Sequence, residues 1–146
     1  MAIKVKAKII NCLEKVFENK EPICYSECEK LSGFKNETIS FQVAYSAAYD
    51  NSSGLVDNFA RIAVHSPIKD CVRVRLVEQV PVGLATFQDA DADYLRVESG
   101  LFPDRLVDLA DGANGHLRVN LGRWNALWID VQCENAGKHP IEIVFK

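Results

Sequence analysis

Apolar and polar side chains alternate with a period of two along most of this chain, the signature of half-buried β-strands. Ile3, Val5, Ala7 and Ile9 fall on one side of the first such segment and Lys4, Lys6 and Lys8 on the other. That pattern predicts an antiparallel strand with one solvated face. The strongest segment runs from Ile39 to Ala47, with Ile39, Phe41, Val43 and Tyr45 facing one way and Ser40, Gln42, Ala44 and Ser46 the other. Further strands are predicted at Phe59–His65, Val72–Val80, Tyr94–Glu98, His116–Leu121 and Asn125–Cys133, and a last one through Ile141, Ile143 and Phe145. Between them, Asn19-Lys20-Glu21-Pro22, residues 23–38, Asp50 to Gly54, and Gly100 to Gly115 read as turns or long connections. Leu13, Val16 and Phe17 have helical spacing over one turn at most.

About eight strands with polar turns and no strand–helix rhythm predict an all-β, antiparallel β-sandwich with long loops. At 146 residues the chain is one domain, 1–146, and too short for a (β/α)₈ barrel of about 200–250 residues. Its 48% hydrophobic and 25% charged residues exclude wholesale disorder. A net charge of −3 argues against nucleic acid as a partner. No unbroken apolar stretch makes a secretory signal or a membrane span, so the chain as written reads as cytosolic with no membrane partner. The sequence stops at Phe145-Lys146, at the end of a strand, which fits either a very compact domain or a segment cut from a longer chain.

Candidate chemistry is sparse. Five cysteines, Cys12, Cys24, Cys28, Cys71 and Cys133, are an odd number and read as free thiols. Cys24 and Cys28 have a C-x₃-C spacing, but the remaining ligands of a zinc site are isolated in sequence, so no metal and no cofactor is expected. His65, His116 and His139 lie at strand ends or turns, and no G-x-S-x-G elbow accompanies them. Asp89, Asp91 and Asp93 open like a calcium loop. Tyr94 then stands where the turn needs glycine, and Gly100 where a bidentate Glu is needed. Aromatic rings are the remaining signal, because a flat apolar ring beside polar neighbours can hold a sugar face. Trp128 lies on the face opposite Leu127 and Ile129, beside Asp130 and Gln132. Tyr94 shares a face with Arg96 and Glu98, and Trp124 just precedes its strand. Trp124, Trp128 and Tyr94 are therefore the candidate carbohydrate-binding residues, unless a loop or partner domain covers them.

Five segments together carry a family resemblance. They are Leu13-Glu14-Lys15-Val16-Phe17 with Glu21-Pro22; Lys35 to Ala44; Val72-Arg73-Val74 through Val80-Pro81-Val82; Tyr94-Leu95-Arg96 followed by Gly100 to Leu106; and Asn125 to Val131. In this order they resemble the N-terminal β-sandwich domain of bacterial proteins related to glycoside hydrolase family 123, across nearly the whole chain. The resemblance implies a sandwich that precedes a TIM-barrel catalytic domain of N-acetyl-β-hexosaminidase type, acting by substrate assistance with an acidic pair in the barrel. None of those barrel positions lies in this chain, so it implies no catalytic residue here. It implies a C-terminal catalytic barrel of the same polypeptide as partner, and a non-catalytic role in packing, in shaping the rim of the site, or in holding glycan. The last strand and the Trp128 face are the expected barrel contact. Many members of the family are exported, whereas the first residues of this chain do not read as a signal peptide. The alternative is an autonomous carbohydrate-binding module. A small stand-alone enzyme has no support in the sequence.

Overall fold

A computed structural model describes residues 4–23, 30–48, 59–84, 94–109 and 116–146. Cys24, Cys28, the loop at Asp50–Gly54 and the acidic run at Asp89, Asp91 and Asp93 lie outside them. The described chain forms eight strands: β1 (Lys4–Asn11), β2 (Thr38–Ala48), β3 (Phe59–His65), β4 (Val72–Val82), β5 (Gly100–Asp108), β6 (His116–Arg118), β7 (Trp124–Gln132) and β8 (Glu142–Phe145). A single 3-10 turn at Lys69–Cys71 leads into β4. The strands make two antiparallel sheets, ordered β1-β2-β7-β4-β5 and β6-β3-β8. The all-β antiparallel reading is correct.

The alternating residues of β2 and β7 set the core. Phe41, Val43 and Tyr45 pack with Leu127, Ile129, Val72 and Val74 on one sheet, and with Ile62, Val64 and Leu117 on the other. Ile143 and Phe145 of β8 close this layer. Burying each such aliphatic side chain contributes about 1.5–3 kcal/mol relative to leaving it exposed.

The opposite face of the five-stranded sheet is not simply solvated. Gln42 and Ala44 are buried there, and so is Ile10 of β1, while Ile9, expected inward, is partly exposed. The reason is the segment after β1. Residues 12–22 cross this face as a strap, and Val16, 1% exposed, plugs a second apolar cluster with Ile10, Ala44, Val77, Trp124 and Ala126. The strap is turns and extended chain rather than helix: Glu14 N–H reaches the Asn11 carbonyl at 3.2 Å, and Lys20 N–H the Phe17 carbonyl at 3.3 Å. The Gln42 amide donates to the carbonyls of Asn11 (3.2 Å), Cys12 (3.1 Å) and Glu14 (2.7 Å). Gln79 donates to the Val16 carbonyl at 3.0 Å, and the Trp124 N–H to that of Glu18 at 2.9 Å. Apart from the Asn11 carbonyl, which Glu14 N–H also reaches, these contacts satisfy carbonyls that the strap does not pair with itself.

Two sequence expectations are corrected. Tyr94–Glu98 is irregular rather than a strand, and the supposed connection beginning at Gly100 starts with β5. Pro103 hid this strand, since proline cannot donate to a ladder. Here it sits on the edge of the sheet, beside a register shift at Glu78/Gln79 where that loss is tolerated.

Candidate functional site

The strap and the approach to β5 meet at one end of the sheet. Phe17 of the strap and Phe102 of β5 pack edge to face, centroids 5.6 Å apart at 80°. Arg96 lies over both rings, its guanidinium 5.5 Å from the Phe17 centroid and 5.3 Å from that of Phe102. Such cation–π contacts strengthen as they lose water. Arg96 also donates to the carbonyls of Leu101 (3.3 Å) and Ser99 (3.4 Å). Gly100 makes this possible: at its φ of 156°, a Cβ would collide with the Arg96 guanidinium. Lys15 closes the junction by donating to the Pro103 carbonyl at 3.2 Å.

Two adjoining clefts flank this stack and share Lys15, Phe17, Leu95 and Arg96. The larger, about 640 Å³, is walled by the strap from Glu14 to Ile23 and by Glu98, a mixed-charge lining. The smaller, about 340 Å³, is walled by Val80, Val82, Tyr94, Phe102, Pro103 and Asp104, and is more apolar. Tyr94 is 49% exposed and Leu95 77% exposed at its mouth. An apolar floor with a few polar groups at the rim is the arrangement that orients a small ligand.

The three candidate aromatic residues do not form one platform. Tyr94 lines the smaller cleft, and neither tryptophan lines either cleft. Trp124 is 8% exposed beneath the strap. The Lys6 and Lys8 ammonium groups stand 5.6 and 5.7 Å from its ring centroid. Both lysines pair with Glu21, at 2.7 and 2.5 Å, and their hydrogen bonds hold that carboxyl down at about 2. The lysines of β1 thus cover an indole, where the alternation alone left them facing solvent.

Trp128 lies on the same outer face and is half-buried, its indole N–H donating to Asp130 Oδ1 at 2.7 Å. Ser40 donates to the same oxygen at 2.6 Å, and Arg75 pairs with the other. Burial alone would push the Asp130 carboxyl up, but the hydrogen bonds from Ser40, Trp128 and Arg75 outweigh it and hold it below the usual carboxylate value. Arg73 forks onto Asp108 at 2.9 and 2.7 Å across the neighbouring strands, in a more exposed position. The Trp128 face is thus an internally paired polar surface.

His65 ends β3, His116 begins β6, and the His139 Nε2 donates to the Asn135 carbonyl at 3.2 Å in the last turn. Among the described residues, no group of three or more His, Cys, Asp or Glu side chains is clustered to hold a metal. No helix among them is long and apolar enough to cross a membrane. Sequence reasoning named Tyr94 but missed Phe17, Arg96 and Phe102. Its one available signal was Gly100, four residues after an arginine in an otherwise polar stretch.

The two antiparallel sheets define an all-β fold, and that fold has a likeness among solved structures. A family 123 glycoside hydrolase from Clostridium perfringens, studied for glycolipid glycan hydrolysis, superposes with a TM-score of 0.57 at 12% sequence identity. The match covers 97% of this chain and 24% of that one, so the chain spans about a quarter of that enzyme's length. No protein-family model matches the sequence, and no curated protein does.

Proposed function

We propose that this chain is the non-catalytic β-sandwich of a glycoside hydrolase of N-acetyl-β-hexosaminidase type, and that it packs against a catalytic barrel of the same polypeptide. One observation carries the reading: a likeness in fold that runs through nearly all of this chain and a quarter of a family 123 enzyme. Two of the segments that resemble that family's sandwich, the strap from Leu13 to Pro22 and the run from Tyr94 to Leu106, meet at the Phe17–Arg96–Phe102 stack. On this reading the sandwich supplies a rigid wall beside the catalytic domain through the Trp128 face, with β8 in the opposite sheet packed on the inner core, and performs no hydrolysis itself. The test is to assay the purified chain on aryl N-acetyl-β-hexosaminides, alone and joined to the polypeptide encoded after Lys146. No turnover alone and turnover when joined is expected. Hydrolysis by this chain alone, or a stop codon after Lys146, overturns the proposal.

A second reading, an autonomous carbohydrate-binding module, is favoured by the exposed ring of Tyr94 at the mouth of the smaller cleft. It predicts heat of binding when N-acetylhexosamine-containing glycans are titrated in, and loss of that heat in Tyr94→Ala. Trp128→Ala weakens binding only if the sugar also reaches the outer face. Trp124 serves this reading as a support of the strap, so Trp124→Ala lowers stability before it lowers affinity. Absence of binding to any such glycan removes the reading.

A further inference from the structure

We propose that Cys71 and Cys133 are a redox-modification site, at which a peroxide-class oxidant joins the two thiols into a disulfide that staples the end of the β4–β7 pair. Cys71 closes the 3-10 turn immediately before β4, and Cys133 immediately follows β7. These strands pair antiparallel with Val72 opposite Val131, and a one-step offset in a regular ladder would put the two side chains on opposite faces. Cys71, however, lies in the 3-10 turn and Cys133 beyond the last residue of β7, both outside the ladder, and the two thiols come within hydrogen-bonding reach of each other. A strand spacing of about 4.8 Å and a residue step of about 3.3 Å give a Cα separation of about 6 Å. A disulfide spans Cα separations of about 4.4–6.8 Å. Both thiols are free and partly exposed, so a small oxidant reaches them without unfolding.

The surroundings of Cys71 keep its thiol protonated and slow to react. Interaction with the neighbouring Cys133 thiol, loss of water and the nearby carboxylates of Asp70 and Glu134 all push the Cys71 thiol up. A thiol is inert until it ionises, so Cys71 survives mild conditions and acts as the resolving partner. In the step itself, the Cys133 thiolate attacks one oxygen of hydrogen peroxide and becomes a sulfenic acid, and the departing hydroxide takes up a proton as water. Cys71 then attacks the Cys133 sulfur, forming the S–S bond and expelling a second water. Two thiols and one peroxide thus give one disulfide and two waters, the thiols losing two electrons and the peroxide gaining them.

The staple reaches beyond its own strands. The Cys133 carbonyl accepts from Asn36 N–H at 3.0 Å, and Gln132 Nε2 donates to the Asn36 carbonyl at 3.0 Å. Oxidation therefore also fixes the turn that leads into β2. The ring it closes contains β4, β5, β6 and β7, and closure of a long ring removes the most freedom from the unfolded chain.

The test uses a chain with Cys12→Ser, Cys24→Ser and Cys28→Ser, leaving only the pair. After hydrogen peroxide, its intact mass should fall by about 2 Da and iodoacetamide should label neither thiol. The urea midpoint should rise by about 1 M, and dithiothreitol should reverse all three changes. Adding Cys71→Ser to that background should abolish the mass loss and the midpoint shift. In case the background folds poorly, peptide mapping of the unsubstituted chain after the same treatment should recover a Cys71–Cys133 linked peptide. Persistent labelling, oxygen addition without a cross-link, a lowered midpoint or a different pairing overturns the proposal.

Discussion

The inner face of the five-stranded sheet is covered by a second sheet, and its outer face by one loop. On the inner face, Phe41, Val43, Tyr45, Leu127 and Ile129 meet the β3, β6 and β8 side chains in an apolar layer whose strands already satisfy their own backbone. On the outer face, Val16 supplies one apolar plug, and polar side chains hold it there: Gln42, Gln79 and Lys15 each reach a strap or neighbouring carbonyl. A sheet partner needs no side-chain hydrogen bonds to be held, because burial of many residues at once is sufficient. A loop buries too little for that and depends on directed contacts. Beyond the strap, the same face is closed by ions: Asp130 with Arg75, and Asp108 with Arg73.

The largest test of this contrast lies on the inner face. Ile129→Ala removes a fully buried side chain from the centre of the sandwich and should cost about 2–5 kcal/mol, read as a fall in the urea midpoint. The loss should appear in every probe together, because β7 pairs with both β2 and β4. A loss below about 1 kcal/mol would mean that the two sheets are less tightly packed than this burial implies.

Gln42→Leu acts on the outer face. It keeps most of the side-chain volume but leaves the carbonyls of Cys12 and Glu14 without this donor, while that of Asn11 keeps Glu14 N–H. Buried groups left unpaired cost about 1–3 kcal/mol, so a loss of about 2 is expected. Unlike Ile129→Ala, it should loosen the strap while the sandwich stays folded. Trp124 and Trp128 both lie on this face, so their fluorescence should report added water before global unfolding. Phe17 would move with the strap, and the Arg96 stack with it. Unchanged fluorescence would place the strap's hold in Val16 alone.

This strap marks where the sequence was legible and where it was not. Alternation located β2, β3, β4 and β7 because each keeps one apolar side facing one core; it located β1 as well, but there Ile10 of the other side is the buried residue and Ile9 is exposed. It left Gln42 and Ala44 facing solvent, since alternation says which side a residue takes and nothing about a loop returning over that side. Val16 was visible only as one of three apolar residues, with Leu13 and Phe17, whose helical spacing suggested a single turn rather than a strap. β5 was read as a connection because Pro103, Asp104 and Arg105 are poor strand formers away from a sheet edge. At the candidate site, Tyr94 was legible as an aromatic beside charges. The Arg96 stack was not, because it joins residues from two distant segments that no pattern in sequence connects.

A smaller effect sharpens the picture of the inner face. Tyr45 has no exposed surface, and its hydroxyl has no hydrogen-bond partner among the described residues. Burial pushes its phenol well above the ordinary value. The ring packs against Phe145 with centroids 5.3 Å apart, and Phe would preserve that contact. Tyr45→Phe should therefore raise stability by about 1 kcal/mol, measured by urea unfolding. A loss would show that the hydroxyl is satisfied in solution and that the inner layer is less dry than its burial indicates.

The smallest expected effect tests the ionic end of the outer face through its pH dependence. The folded-state value of Asp130 is lowered, so its contribution to stability is complete above the ordinary carboxylate range near 4 and disappears as pH falls through the lowered value. Asp108 beside Arg73, and Glu21 between Lys6 and Lys8, are lowered as well and lose their contributions on the same acid side. The informative quantity is therefore the difference between the original chain and Asp130→Asn. That difference should be constant from pH 7 to about 5 and shrink toward zero as Asp130 itself becomes protonated below 4. The Asn variant should show the shallower acid decline, because one of the carboxylates held low in the folded state is gone. A difference that stays constant down to pH 2 would mean that the carboxylate charge does not matter at this site. Ser40 and Trp128 would then be holding the side chain by geometry alone, and the outer face, like the inner one, would be maintained without its ions.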